Sequence, residues 1–116
     1  MAINWIPITT EAQIDAIAKK SSEIPCVIFK HSTTCSISAM AKSRLEKNWD
    51  FSDTEIQAYY LDLLNYRPIS KEIAVRFDVH HESPQILLIK DGDCTYDASH
   101  LDITVSELKS CFSDSI

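Results

Sequence analysis

Apolar residues recur along this chain with two different periods, and cap or turn residues separate the segments. Residues 1–8 contain a short apolar stretch suited to an edge strand. Thr10-Glu11-Ala12-Gln13 fits a capping box, with the Thr hydroxyl on the third helical amide and the Gln side chain reaching back. Ile14, Ile17 and Ala18 then give one apolar face at helical spacing. Pro25 precedes Cys26-Val27-Ile28-Phe29, an unbroken apolar run expected of a strand buried on both faces. Beyond a Ser/Thr cluster, Ile37, Met40, Ala41, Leu45 and Trp49 predict a second helix with those residues inward.

Ile56–Leu64 reads as a strand, with Tyr59 and Tyr60 adding β preference. Pro68 suits a first helical turn, and Ile69, Ile73, Ala74 and Phe77 follow at helical intervals. Pro84 opens the strand Gln85–Lys90, and Asp91-Gly92 is a hairpin signal leading to a return strand over Cys94–Ala98. Val105, Leu108 and Phe112 mark a last helix. Strands alternating with helices predict an α/β fold, here a single domain over residues 1–116. The order is that of a thioredoxin-like three-layer fold with an N-terminal extension. Its central sheet is mixed, ends in an antiparallel hairpin and carries helices on both faces.

Composition narrows the function. Eleven Lys+Arg against seventeen Asp+Glu leave a net charge of −6, which argues against nucleic acid as a partner. The longest apolar runs, Cys26–Phe29 and Ile86–Ile89, fall far short of the roughly 20 residues that span a bilayer, so no membrane role is expected. A single glycine excludes both the dinucleotide-binding loop and the P-loop. The N-terminus has no basic stretch followed by an apolar one, so a cytoplasmic, reducing location is expected. The four cysteines then read as free thiols rather than a disulfide framework. They are separated by at least eight residues, which does not suit a zinc site, and no metal is expected.

Cys35 is the candidate for chemistry. It follows the Ser/Thr cluster where a buried strand gives way to a helix, and unpaired amides in a first helical turn stabilise a thiolate. A helix end contributes about 0.3–1 kcal/mol, less than a tenfold change in ionisation. Further support has to come from Ser or Thr hydroxyls or from Lys30 or His31, some of which strand alternation sends to other faces. Counting from Cys35, the position of a second thiol in a C-x-x-C motif holds Ser38, whose hydroxyl can donate to the thiolate. The bland alternative is that Cys35 is a small residue at a helix start. Cys26 and Cys111 read as buried small hydrophobes, and Cys94 as half exposed. Pro84, opening a strand after a loop, can be cis, which in this fold would set it against the cysteine. The Ser83 backbone would then pair with an extended substrate.

Three motifs in order, Lys30-His31-Ser32-Thr33-Thr34-Cys35-Ser36-Ile37-Ser38, Val79-x-His81-Glu82-Ser83-Pro84-Gln85 and Ala98-Ser99-His100-x-x-Ile103-Thr104, resemble the bacilliredoxin family of the YtxJ type. The resemblance covers nearly the whole chain. It implies a monothiol enzyme that removes bacillithiol from protein mixed disulfides, with Cys35 attacking and Ser38 in the place of a resolving cysteine. It implies bacillithiol as thiol co-substrate, no bound cofactor, and bacillithiolated proteins as partners. One departure is Ser36, where the family usually has proline.

The fold would bring Thr34, Ser36, Ser83 and Pro84 to the Cys35 end of the sheet as candidate small-thiol contacts, and by analogy with related glutaredoxins Ser99 and His100 are expected to line the same pocket. Bacillithiol carries a malate group on a sugar, so its pocket should offer hydrogen-bond donors and positive charge. His100 either reads the ligand or simply caps the last helix or packs on the surface. Two other functions stay open. One is a module carrying an iron–sulfur cluster between two protomers, although the glycine and phenylalanine such proteins place between Cys and Ser are missing here. The other is a protein-docking scaffold with a vestigial thiol.

Overall fold

In a computed structural model, which describes residues 3–114 and the side chains of residues 3–111, the elements follow the expected order. They are β1 (Ile6–Pro7), α1 (Ala12–Lys20), β2 (Cys26–His31), α2 (Ser36–Asn48), β3 (Gln57–Asp62), α3 (Arg67–Phe77), β4 (Gln85–Lys90), β5 (Asp93–Ser99) and α4 (Val105–Asp114), with a 3-10 turn at His100–Asp102 before α4. The sheet order is β1-β3-β2-β4-β5. β1, β3 and β2 run parallel, while β4 is antiparallel to β2 and to β5.

Strand alternation divides the core into two layers. Val27 and Phe29 of β2 pack with Ala41, Leu45, Ile103 and Leu108 on the α2/α4 side. Cys26 and Ile28 face Ile14, Ile17, Ile69 and Ile73 on the α1/α3 side. All six residues of β2 are buried, as its unbroken apolar run demands. The strand's last two residues obey the same alternation with polar side chains. Lys30 therefore enters the α3 side and His31 the α2 side.

The hairpin turn has Asp91 at φ 51° and Gly92 at φ 83°. Two successive left-handed residues make the tight turn whose twist matches the strands, which is where glycine is required. Ser21 clamps it, its hydroxyl accepting from the Gly92 amide at 2.8 Å and its carbonyl from the Asp91 amide at 3.0 Å.

Several local expectations need correction. The first capping box forms by half: Gln13 Oε1 accepts from the Thr10 amide at 3.0 Å and the Thr9 amide at 2.7 Å, but Thr10 caps no helical amide with its hydroxyl. The competing bond wins because the Gln13 amide already meets the Thr10 carbonyl at 3.3 Å. The α2 stripe is rotated, so that Ser38, Ala41 and Leu45 are buried while Ile37 and Met40 are 43% and 56% exposed. The expectation for Phe112 lies outside the described side chains.

A second capping-box sequence, Thr104-Val105-Ser106-Glu107, precedes the last helix. Thr104 Oγ1 accepts from the Glu107 amide at 3.1 Å and starts α4. Thr104→Ala is expected to cost about 1 kcal/mol of folding stability, read from the urea midpoint. An unchanged midpoint would show that the cap contributes nothing.

Candidate active site around Cys35

β2 and β4 are antiparallel neighbours with Lys30 opposite Gln85, so the end of β2 meets the start of β4. This brings the loop carrying Cys35 to the same end of the sheet as the Ser83–Pro84 peptide, which is cis. Gln85 is also opposite Ser99 on β5, and the His100 amide donates to the Pro84 carbonyl at 3.1 Å. Three segments distant in sequence therefore converge.

Cys35 is the N-cap of α2, with φ −101° and ψ 123°, and it is half-buried. Its carbonyl accepts from the Ala39 amide at 3.0 Å, which starts the helix. The first-turn amides that follow have no intrahelical acceptor and no acidic side chain stands in that turn, so the positive end of the helix dipole lies at this position. Thr34 and Ser36 flank the cysteine and are exposed.

Ser38 is placed differently from its neighbours. It is fully buried, its Oγ accepts from the Ser32 amide at 3.0 Å, and it lies 2.6 Å from His31 Nδ1. Burial first, and then the nearby Lys42 ammonium, push the His31 pKa down. The Ser38 hydroxyl thus ties the cysteine loop to β2 and to α2, which explains why this serine displaces Ile37 and Met40 from the inward face. Ile37, Met40 and Leu101 of the 3-10 turn are exposed apolar side chains at this end of the molecule. Arg44 of α2 fixes the 3-10 turn by donating to the carbonyls of Leu101 and Ile103, each at 3.2 Å.

Ser83 has its hydroxyl buried without a partner among the described residues. Ser99 borders an open cavity of about 650 Å³ whose lining includes Asp97, Asp102 and Glu107 and no Lys or Arg. His100 has φ 54° and its Nε2 lies 3.9 Å from the Glu82 carboxylate. His100 does not cap the last helix, since Thr104 caps α4; its ring leans on Glu82 while its amide holds Pro84.

Cys26 and Cys94 are poor nucleophiles by position, while Cys111, expected to be buried, is half-buried. Cys26 is completely buried and Cys94 half-buried, and burial pushes each thiol up to about 11. On the α3 side, Lys30 is completely buried, its Nζ donating to the Ser70 carbonyl at 3.2 Å and lying 3.3 Å from His81 Nδ1. The sequence marked both residues as parts of motifs but not as a pair.

A mixed sheet between two helical layers, with one cysteine at a helix N-cap on the same sheet end as a cis-proline, defines a thioredoxin-fold thiol protein. Solved structures agree. The chain is 30% identical to a proposed oxidoreductase with a thioredoxin fold, with 92% of each chain covered and a TM-score of 0.80. It also superposes on thioredoxin from Trypanosoma brucei brucei at 14% identity and TM-score 0.76, covering 99% of this chain and 93% of that one. For the Malassezia sympodialis thioredoxin the values are 17% and 0.74, covering 98% and 91%. Residues 6–108 match the family model for monothiol bacilliredoxin BrxC. The chain belongs to the monothiol bacilliredoxin family, and its function is thiol redox chemistry. No helix among the described residues is long and apolar enough to cross a membrane.

Proposed function

We propose that the chain is a monothiol thiol–disulfide oxidoreductase that takes bacillithiol from protein mixed disulfides. The observation that carries this reading is Cys35 at the N-cap of α2, at the same sheet end as the cis-proline loop, with the buried Ser38 in place of a second thiol. The Cys35 thiolate attacks the bacillithiol sulfur. The bond between that sulfur and the client cysteine breaks, the client leaves as a thiolate, and Cys35 becomes disulfide-bonded to bacillithiol. No internal thiol sits at residue 38, so a second bacillithiol thiolate attacks the bound bacillithiol sulfur. This returns Cys35 as a thiolate and releases bacillithiol disulfide, with electrons balanced by the second small thiol.

Thr34, Ser36, Ser83 and Pro84 border the reacting sulfur in this scheme, and Ser99 and His100 stand beside the proline. The exposed Ile37, Met40 and Leu101 give the client protein an apolar surface to rest on. The test is a single turnover of a bacillithiolated model protein with one equivalent of the chain and no free thiol. Intact-mass measurement should find bacillithiol moved to Cys35, and added bacillithiol should then release it. Bacillithiol staying on the model protein would overturn the reading.

A further inference from the structure

Opposite in sign to the acidic cavity beside Ser99, a second cavity of about 220 Å³ is lined by Leu63, Arg67, Lys71 and His81. Arg67 and Lys71 lie four residues apart on the first turns of α3, Leu63 follows β3, and His81 belongs to the loop leading to Pro84. All four stand at the sheet end that carries Cys35. The volume equals about seven waters at ~30 Å³ each, room for a small dicarboxylate. In a chain of net charge −6, neither Arg67 nor Lys71 has a carboxylate within ion-pair distance among the described residues.

Of the lining residues, His81 is held from behind by polar groups. The ammonium of Lys30 donates toward His81 Nδ1 at 3.3 Å, and the Ser70 hydroxyl lies at the same distance from that atom. With Nδ1 accepting, the ring proton sits on Nε2 and adds a donor to the two cations. Burial, followed by Lys30, pushes the His81 pKa down, so the ring is a neutral donor here rather than a third exposed charge. Glu82, the nearest acid in the loop, is turned toward His80 and His100 at 4.0 and 3.9 Å.

We propose that this α3-side cavity, and not the one beside Ser99, holds the carboxylates of the small thiol while its sulfur reacts at Cys35. The proposal rests on the reading that a carboxylate-bearing small thiol is the co-substrate. Arg67 takes a carboxylate as a planar fork, Lys71 as a point charge, and His81 Nε2 completes the donor set.

The test compares rates of Cys35 with bacillithiol disulfide, glutathione disulfide and the uncharged bis(2-hydroxyethyl) disulfide. The readout is the ratio of each charged-disulfide rate to the uncharged one. In the double variant Arg67→Ala/Lys71→Ala the bacillithiol ratio should fall about tenfold. Lys19→Ala/Lys47→Ala removes the same charge from exposed sites elsewhere and should leave the ratio within about twofold. Circular dichroism checks that each variant is folded. An unchanged ratio in the first variant, or an equal fall in both, overturns the proposal. If the unmodified chain prefers glutathione disulfide and Arg67→Ala/Lys71→Ala loses that preference, the cavity stands and bacillithiol as co-substrate falls.

Discussion

Cys35→Ser is expected to reduce removal of bacillithiol from a model protein to the uncatalysed background, a loss on the order of a thousandfold. The reason is chemical rather than steric. A serine hydroxyl is not ionised at neutral pH, and disulfide exchange needs a thiolate to attack sulfur. Burial works against substitution by Cys26 or Cys94. Cys26 sits completely buried in β2 and accepts no substrate, and its thiol is pushed up to about 11 by burial. Cys94 is held at the same value for the same reason, with its Sγ 3.3 Å from the Tyr96 carbonyl. Cys26→Ser and Cys111→Ser should therefore keep activity within about twofold when assayed below their unfolding midpoints. The measurement is release of bacillithiol per minute from the modified protein. Full activity in Cys35→Ser would remove the thiol from the mechanism altogether.

Much of this fold is written in local pattern. The unbroken run at Cys26–Phe29 reads as an interior strand because both faces of the sheet are covered, and Asp91-Gly92 reads as a hairpin because its two residues tolerate left-handed angles. Such signals need only neighbours in sequence. The position of α2 was less legible. Ile37 and Met40 have the spacing of a buried stripe, yet Ser38 takes the inward place because it bonds to His31 and to the Ser32 amide. That bond depends on how the loop through Cys35 folds back on β2, which periodicity does not encode.

The site divides in the same way. Cys35 and Pro84 announce themselves as a thiol at a helix start and a proline at a strand start. The electrostatics around them do not, because they depend on convergence. Asp97, Asp102 and Glu107 meet at one cavity from three separate elements, while Arg67 and Lys71 of α3 meet His81 of the following loop at another. The i, i+4 spacing of Arg67 and Lys71 was visible, but only the β2–β4 register brings the His81 loop beside α3. The Thr104 cap is the opposite case, since its Thr-x-x-Glu signal stands in the sequence.

Lys30→Met is expected to stabilise the protein at pH 7 by about 1–3 kcal/mol. Lys30 is completely buried, it has no carboxylate partner among the described residues, and burial lowers its pKa to about 8. In the unfolded chain it titrates near 10.4. Below pH 8 both states hold the proton and the full cost of burying the charge is present. Between about pH 8 and 10.4 the unfolded state binds more protons, so this residue's contribution to stability rises with pH. At 1.36 kcal/mol per unit the gap corresponds to about 3 kcal/mol. Methionine keeps the apolar stem and drops the charge. The Ser70 carbonyl it leaves lies within α3, where the helix supplies its own amide four residues on. Urea unfolding of both proteins at pH 7 and pH 10 measures the difference directly. The rising pKa of the buried Cys26 and Cys94 thiols works in the opposite sense at high pH, but it is common to both proteins and cancels. The stability advantage of Lys30→Met should shrink by most of its value between the two pH values. A variant less stable than the parent at pH 7 would mean that the bond to Ser70 and the contact with His81 outweigh desolvation. If the variant is instead more stable, the ammonium is a cost that folding alone does not explain. Its contact with His81 ties that cost to the cationic cavity, and the same variant should then discriminate less well between bacillithiol disulfide and the uncharged one.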